Sequence, residues 1–181
     1  MNFDELKKIM PEIFETVKKD VRKVLGRHRA GLRLGLAEMG MFGGGFIGGM
    51  HFHPGNDIVM NKSPLVIILD KQPDEIIYAY TYHILLHEYI HSLRYFHYTN
   101  PNGKKIEINL LDEYKCRLAT INVSKEIFKK ADHPAIILAE EGIGYFIPNL
   151  KITYKPPEMR PDGIPIEYID GFDRESQTYF S

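Results

Sequence analysis

The sequence predicts an α+β fold: an N-terminal helix, a short mixed sheet, and later helices that carry the polar residues of interest. Three observations lead there. Apolar residues recur at helical spacing from Phe3 to Leu25, and short apolar runs alternate with turn-forming residues from Arg27 to Leu69. A long segment from Ile76 to Arg94 then holds neither glycine nor proline.

In the first helix, Phe3, Leu6, Ile9, Met10, Ile13, Phe14, Val17, Val21, Val24 and Leu25 recur at helical spacing, with lysines and acids between them. Pro11 interrupts the pattern and is a candidate break or kink. Leu32, Leu34 and Leu36 alternate with other residues and predict a strand. His51-Phe52-His53, Ile58 to Asn61 and Leu65 to Leu69 predict further strands, separated by Pro54-Gly55-Asn56-Asp57 and by Ser63-Pro64. Pro73 followed by Asp74 and Glu75 marks a helix start, since carboxylates favour the positive end of the helix dipole. That helix is expected to run on through Ser92 to His97, and Thr99 to Gly103 reads as a loop. A second helix is expected over Asn109 to Lys130 and a third from Ala135 to about Glu141, ending near Gly142. Residues 1–155 read as one domain, and 156–181, with Pro156, Pro157, Pro161 and Pro165, as an extended tail.

Composition narrows the function. The chain has 181 residues, 44% hydrophobic and 26% charged, which is ordinary for a globular domain. A net charge of -1 gives no electrostatic reason for a nucleic-acid partner or an anionic membrane. The single cysteine, Cys116, excludes an internal disulfide and a cysteine-rich zinc site, and fits a reducing cytoplasm. No segment has signal-peptide or membrane-spanning character, so a cytoplasmic protein without a membrane partner is expected. Gly43-x-Gly45-x-x-Gly48 matches a dinucleotide fingerprint in letters only. Such a motif must open a helix, whereas this one runs into more glycine and then Pro54. It is better read as a glycine-rich hairpin flanking a cleft.

The chemistry lies in His87-Glu88-Tyr89-Ile90-His91. Residues four apart share a helix face, so His87 and His91 can point two imidazoles at one metal ion, with Glu88 beside them. Zinc takes imidazole nitrogen readily, and HExxH on a helix is a zinc-hydrolase pattern. Between Ile84 and Leu93 the only acidic or basic charge besides the histidines is Glu88, as a buried active-site helix requires.

A catalytic zinc needs a third protein ligand. His97 is six residues past His91 and would face away on a continued helix. Glu113 on the next helix, its neighbour Asp112, and Glu140 or Glu141 on the third helix are the candidates. With HExxH followed by Glu113 on a second helix, the chain resembles the gluzincin metallopeptidases, and most closely their minimal single-domain forms, over roughly Ile58 to Lys130. The resemblance implies a small zincin-like fold in which His87, His91 and Glu113 bind Zn2+ and Glu88 is the general base. It departs from the thermolysin pattern at Arg117, where an Asp that orients a zinc histidine is expected; Asp112, Asn109 or a backbone carbonyl could take that role. The resemblance also implies an oxyanion stabiliser downstream, for which Tyr145, Tyr154, Tyr168 and His133 are candidates.

Other polar residues have bland and functional readings side by side. His83 is a packed histidine or a substrate contact, and His51 with His53 lines the cleft, forms a second metal site or sits on an exposed edge. Cys116 is expected to point elsewhere from Glu113. The function expected is zinc-dependent hydrolysis of a peptide or protein substrate, the peptide lying along an open sheet edge near Ile58 to Asn61. Two rivals accompany it. One is a catalytically silent zincin-fold binding or regulatory module. The other is a latent enzyme whose tail fills the cleft through Glu158, Asp162, Glu167, Asp170 or Asp173.

Overall fold

A 23-residue helix, α1 (Phe3–Leu25), opens the chain, begun by a capping box in which Asn2 and Glu5 satisfy each other's main-chain N–H groups. Gly26 ends it in the left-handed conformation, φ 64°. The structure, a computed structural model, describes residues 1–39, 41–42, 45–46, 48–52, 56–148 and 166–169. Pro11 does not divide α1: Leu6, Met10, Ile13, Phe14, Val17 and Val21 are buried on both sides of it, and their packing outweighs one lost main-chain hydrogen bond.

Strands follow as β1 (Arg33–Ala37), β2 (Met41–Phe42), β3 (Gly45–Phe46), β4 (Gly49–Phe52) and β5 (Asp57–Asn61). β2 and β3 pair as a small antiparallel hairpin. The main sheet has four strands in the order β4-β5-β1-β8, where β8 is Glu167–Tyr168. β1 pairs with β5 in parallel, while β4 and β8 run antiparallel to their neighbours. The sheet is therefore mixed and the fold α+β, as expected. Its open edge is not where the sequence placed it. Ile58 to Asn61 lies in β5, flanked by β4 and β1, and it is β4 that forms the outer strand.

Leu65 to Leu69 is not a strand either. It lies in a helix, α2 (Lys62–Lys71), capped by Asn61, whose side chain accepts from the Ser63 N–H. Pro64 sits in the first turn, where its missing N–H is of no consequence.

The central element is α3 (Asp74–Ser92), which packs against α1, β4 and β5. Pro73 caps it and Asp74 and Glu75 fill its first turn. It stops at Ser92 and does not continue to His97. Arg94 turns the chain with φ 65°, and a hairpin follows, β6 (Tyr95–Thr99) and β7 (Lys105–Asn109). The Asn100 side chain ties the turn by accepting from the N–H groups of Asn102 and Lys104, and Gly103 supplies φ 76°. The chain returns through α4 (Glu113–Phe128) and α5 (Pro134–Glu141), both of which pack on α3, and a 3-10 turn, Ile143–Tyr145. Among the described residues, no helix is long and apolar enough to cross a membrane.

Candidate metal centre

His87 and His91 stack one turn apart on α3, their rings 4.6 Å between centroids and at 88° to each other. The hairpin between the two helices brings the start of α4 back over them. Glu113, the first residue of α4, then divides its carboxylate between the two rings. Oε1 lies 3.1 Å from His87 Nε2 and Oε2 lies 3.0 Å from His91 Nε2.

The other nitrogen of each ring is held from behind. Nδ1 of His91 lies 2.7 Å from the carbonyl oxygen of Leu110, which can only accept, so Nδ1 carries the hydrogen. Nδ1 of His87 lies 3.4 Å from Thr120 Oγ1. That hydroxyl donates its own hydrogen to the Cys116 carbonyl at 2.9 Å, so it offers His87 a lone pair, and here too Nδ1 is the N–H. Both Nε2 lone pairs therefore face the Glu113 carboxylate. Three acceptors converge, and only a cation can join them: a proton or a metal ion.

Titration behaviour follows from the same contacts. Hydrogen bonds with His87 and His91 hold the Glu113 carboxyl well below the usual range, although most of its side chain faces solvent. Burial pushes His91 down, but Glu113, Glu88 and the Leu110 carbonyl together raise it above its ordinary value. Glu88 is buried beside β4, 7% exposed. Burial raises its carboxyl, opposed by the two histidines and by the His51 main-chain N–H that donates to it.

The structure thus brings His87, Glu88, His91 and Glu113 together; His51, His83 and Glu141 line the same cleft, and most other sequence candidates are engaged elsewhere. Asp112 caps α4 by accepting from the Lys115 N–H, and Asn109 accepts from the Leu111 N–H. Glu140 pairs with Lys125 at 2.5 Å. His97 sits on β6 opposite Glu107. His133 caps α5 and stacks on Phe128, Tyr168 lies under Arg33 on β8, and Tyr145 packs edge-on to Phe146. Glu167 cannot fill the cleft, because it pairs with Lys7 and Lys62 at the sheet edge opposite β4. His53, Tyr154, Glu158, Asp162, Asp170 and Asp173 lie outside the described residues.

Cys116 corrects an expectation. It lies three residues after Glu113, on the same side of α4, and its thiol faces His87, with Sγ 3.8 Å from Nδ1 and 3.4 Å from the His87 carbonyl it donates to. His87, His91 and Cys116 offer ligand atoms within 4.8 Å of one another, so they form a second possible metal set. The two sets compete for His87: Cys116 approaches its Nδ1, Glu113 its Nε2. Thr120 already occupies the Nδ1 side. Burial, and after it Glu88 and Glu113, push the Cys116 thiol above its ordinary value. The Nε2 set with Glu113 is the better cation site.

Thr120 and Leu110 were not read from the sequence. The signal for Thr120 was present, since position 120 follows Glu113 by seven residues and shares its helix face. Over the site opens a cleft of about 720 Å³, lined by Gly49 to His51 of β4, by His83 of α3 and by Arg117 and Glu141. Comparison with models of known protein families, with curated proteins and with solved structures finds no match.

Proposed function

We propose that the chain is a zinc-dependent metallopeptidase of gluzincin type, with His87, His91 and Glu113 as zinc ligands and Glu88 as general base. The observation that carries this reading is the convergence of two Nε2 lone pairs and one carboxylate, each ring fixed from behind by an acceptor. Two imidazoles and one carboxylate suit zinc with a coordination position left open. When bound, the ion would polarise a scissile carbonyl and make a neighbouring water acidic enough to attack it.

The chain's own residues do the rest. Glu88 takes a proton from the attacking water and returns it to the leaving amine; burial, which favours its protonated form, suits it to both steps. The His51 N–H holds that carboxylate in place. The outer edge of β4 offers main-chain groups along which an extended peptide can add as a strand.

The deciding experiment measures zinc content and peptide hydrolysis on the parent, His87→Ala, Glu113→Ala and Glu88→Gln proteins. About one zinc per chain is expected in the parent and in Glu88→Gln, and much less in the other two. Glu88→Gln should lose at least about a hundredfold in rate. Hydrolysis by Glu88→Gln at the parent's rate overturns the mechanism. A zinc-loaded parent that cleaves no peptide makes the chain a silent binding module instead.

A further inference from the structure

Arg117 occupies the position where an orienting carboxylate would be expected, and Thr120 with the Leu110 carbonyl performs that orientation. The charge of Arg117 is thus left without a role at the metal centre. It lies on α4 four residues after Glu113, hence on the same face one turn further along, and it lines the cleft. One Nη donates to the Glu140 carbonyl at 2.5 Å, which ties the guanidinium to the end of α5.

Among the described residues lining the cleft it is the one fixed cation. Among the described residues no carboxylate pairs with it: Glu140 is engaged by Lys125, Glu113 by the two histidines, and Glu141, on the same wall, makes no ion pair with it. A guanidinium has five N–H donors in a planar fork that matches a carboxylate, and among the described residues a single hydrogen bond uses one of them. His83, its neighbour in the cleft, is pushed strongly toward the neutral form by burial, with His87 and Arg117 adding to the effect. It therefore adds no second fixed charge there.

We infer that Arg117 is a specificity-determining residue that binds a carboxylate of the substrate close to the scissile bond. This rests on the peptidase reading above. The carboxylate is either an acidic side chain or the free C-terminus of the peptide, and the fork recognises both by the same chemistry.

The test compares four peptides built on one cleavable sequence. They carry Glu or Gln beside the scissile bond, each with a free or an amidated C-terminus. Cleavage is followed in the parent, Arg117→Gln and Arg117→Lys proteins, and binding to the Glu88→Gln protein is followed by fluorescence anisotropy. The parent should prefer the carboxylate-bearing partner of one pair by about ten- to a hundredfold. Arg117→Gln should bring that ratio close to one, and Arg117→Lys should keep part of it. Preference within the Glu/Gln pair identifies a side-chain carboxylate, and within the free/amidated pair a terminal one. Cleavage without preference in either pair, or a preference unchanged in Arg117→Gln, overturns the inference and leaves the peptidase reading standing. Carboxylate-dependent binding to Glu88→Gln with no cleavage by the parent keeps the Arg117 site and removes the peptidase reading. Neither binding nor cleavage removes both.

Discussion

Oγ1 of Thr120 lies 3.4 Å from Nδ1 of His87, on the side of the ring turned away from Glu113. The contact fixes the ring and its tautomer, and it runs between two helices separated by a whole hairpin. Replacing Thr120 by valine keeps the shape and removes the acceptor. Zinc affinity, measured by competition with a chromophoric chelator, should fall about ten- to a hundredfold while the far-ultraviolet circular dichroism stays unchanged. Unaltered affinity would mean that His87 is oriented by something else.

Gly49 lets β4 approach α3. A Cβ there would stand 2.7 Å from Ile84 Cγ2 and 3.1 Å from both Glu88 Cγ and the Val59 carbonyl oxygen. Backbone is among these neighbours, so the strand itself must move. Gly49→Ala should cost about 1–3 kcal/mol, read as a lowered melting temperature in calorimetry, and should impair hydrolysis through Glu88. A variant as stable and active as the parent would show that the strand yields freely.

Asn61 is fully buried, and its side-chain oxygen accepts from the Met39 N–H at 3.1 Å and the Ser63 N–H at 3.2 Å. Asn61→Ala removes a helix cap and strands a buried donor. Urea unfolding should register a loss of about 2–4 kcal/mol. A loss below about half a kcal/mol would mean that water or relaxation replaces both bonds.

His83 sets an acid limit. Burial above all, aided by His87 and Arg117, lowers its pKa from 6.5 to about 3. The unfolded chain takes up a proton below pH 6.5 that the folded chain refuses, so this part of the stability is complete above 6.5 and is lost as the pH falls toward 3. For one proton the slope is at most about 1.4 kcal/mol per pH unit. In metal-free protein, His83→Gln should show a shallower decline of urea midpoint between pH 6.5 and 5. Parallel curves would mean that His83 titrates normally.

The sequence made α3 legible because nearly every signal there agreed: a capped start, acids in the first turn, and an uncharged run around the motif. The two histidines follow from helix periodicity, whereas Glu113 was singled out by the resemblance to the gluzincins, since periodicity alone does not say which acid the return brings back. What stayed hidden has particular causes. Leu65 to Leu69 is five apolar residues, too short for either periodicity to show, and its β-branched content imitated a strand; the helix is set by Asn61 and Pro64, which read equally well as a turn. The end of α3 carries no glycine, because Arg94 adopts φ 65° under the constraint of the hairpin. The outer strand was misplaced because strand order is a tertiary property: β5 is the more apolar segment and takes the inner position, leaving β4 at the edge.

The β6–β7 hairpin gives the molecule a handle. Its base is fastened to the histidine pair: Leu110 donates its N–H to Arg94 and accepts from His91, 2.7 Å in each case. Its tip is remote from that base, beyond the full ladder from Tyr95↔Asn109 to Thr99↔Lys105, and Pro101 to Gly103 stand exposed there. A tag, a fluorophore or an inserted domain carried between Pro101 and Gly103 would project away from the cleft. The molecule can be anchored or observed from that point with the His87, His91 and Glu113 cluster undisturbed.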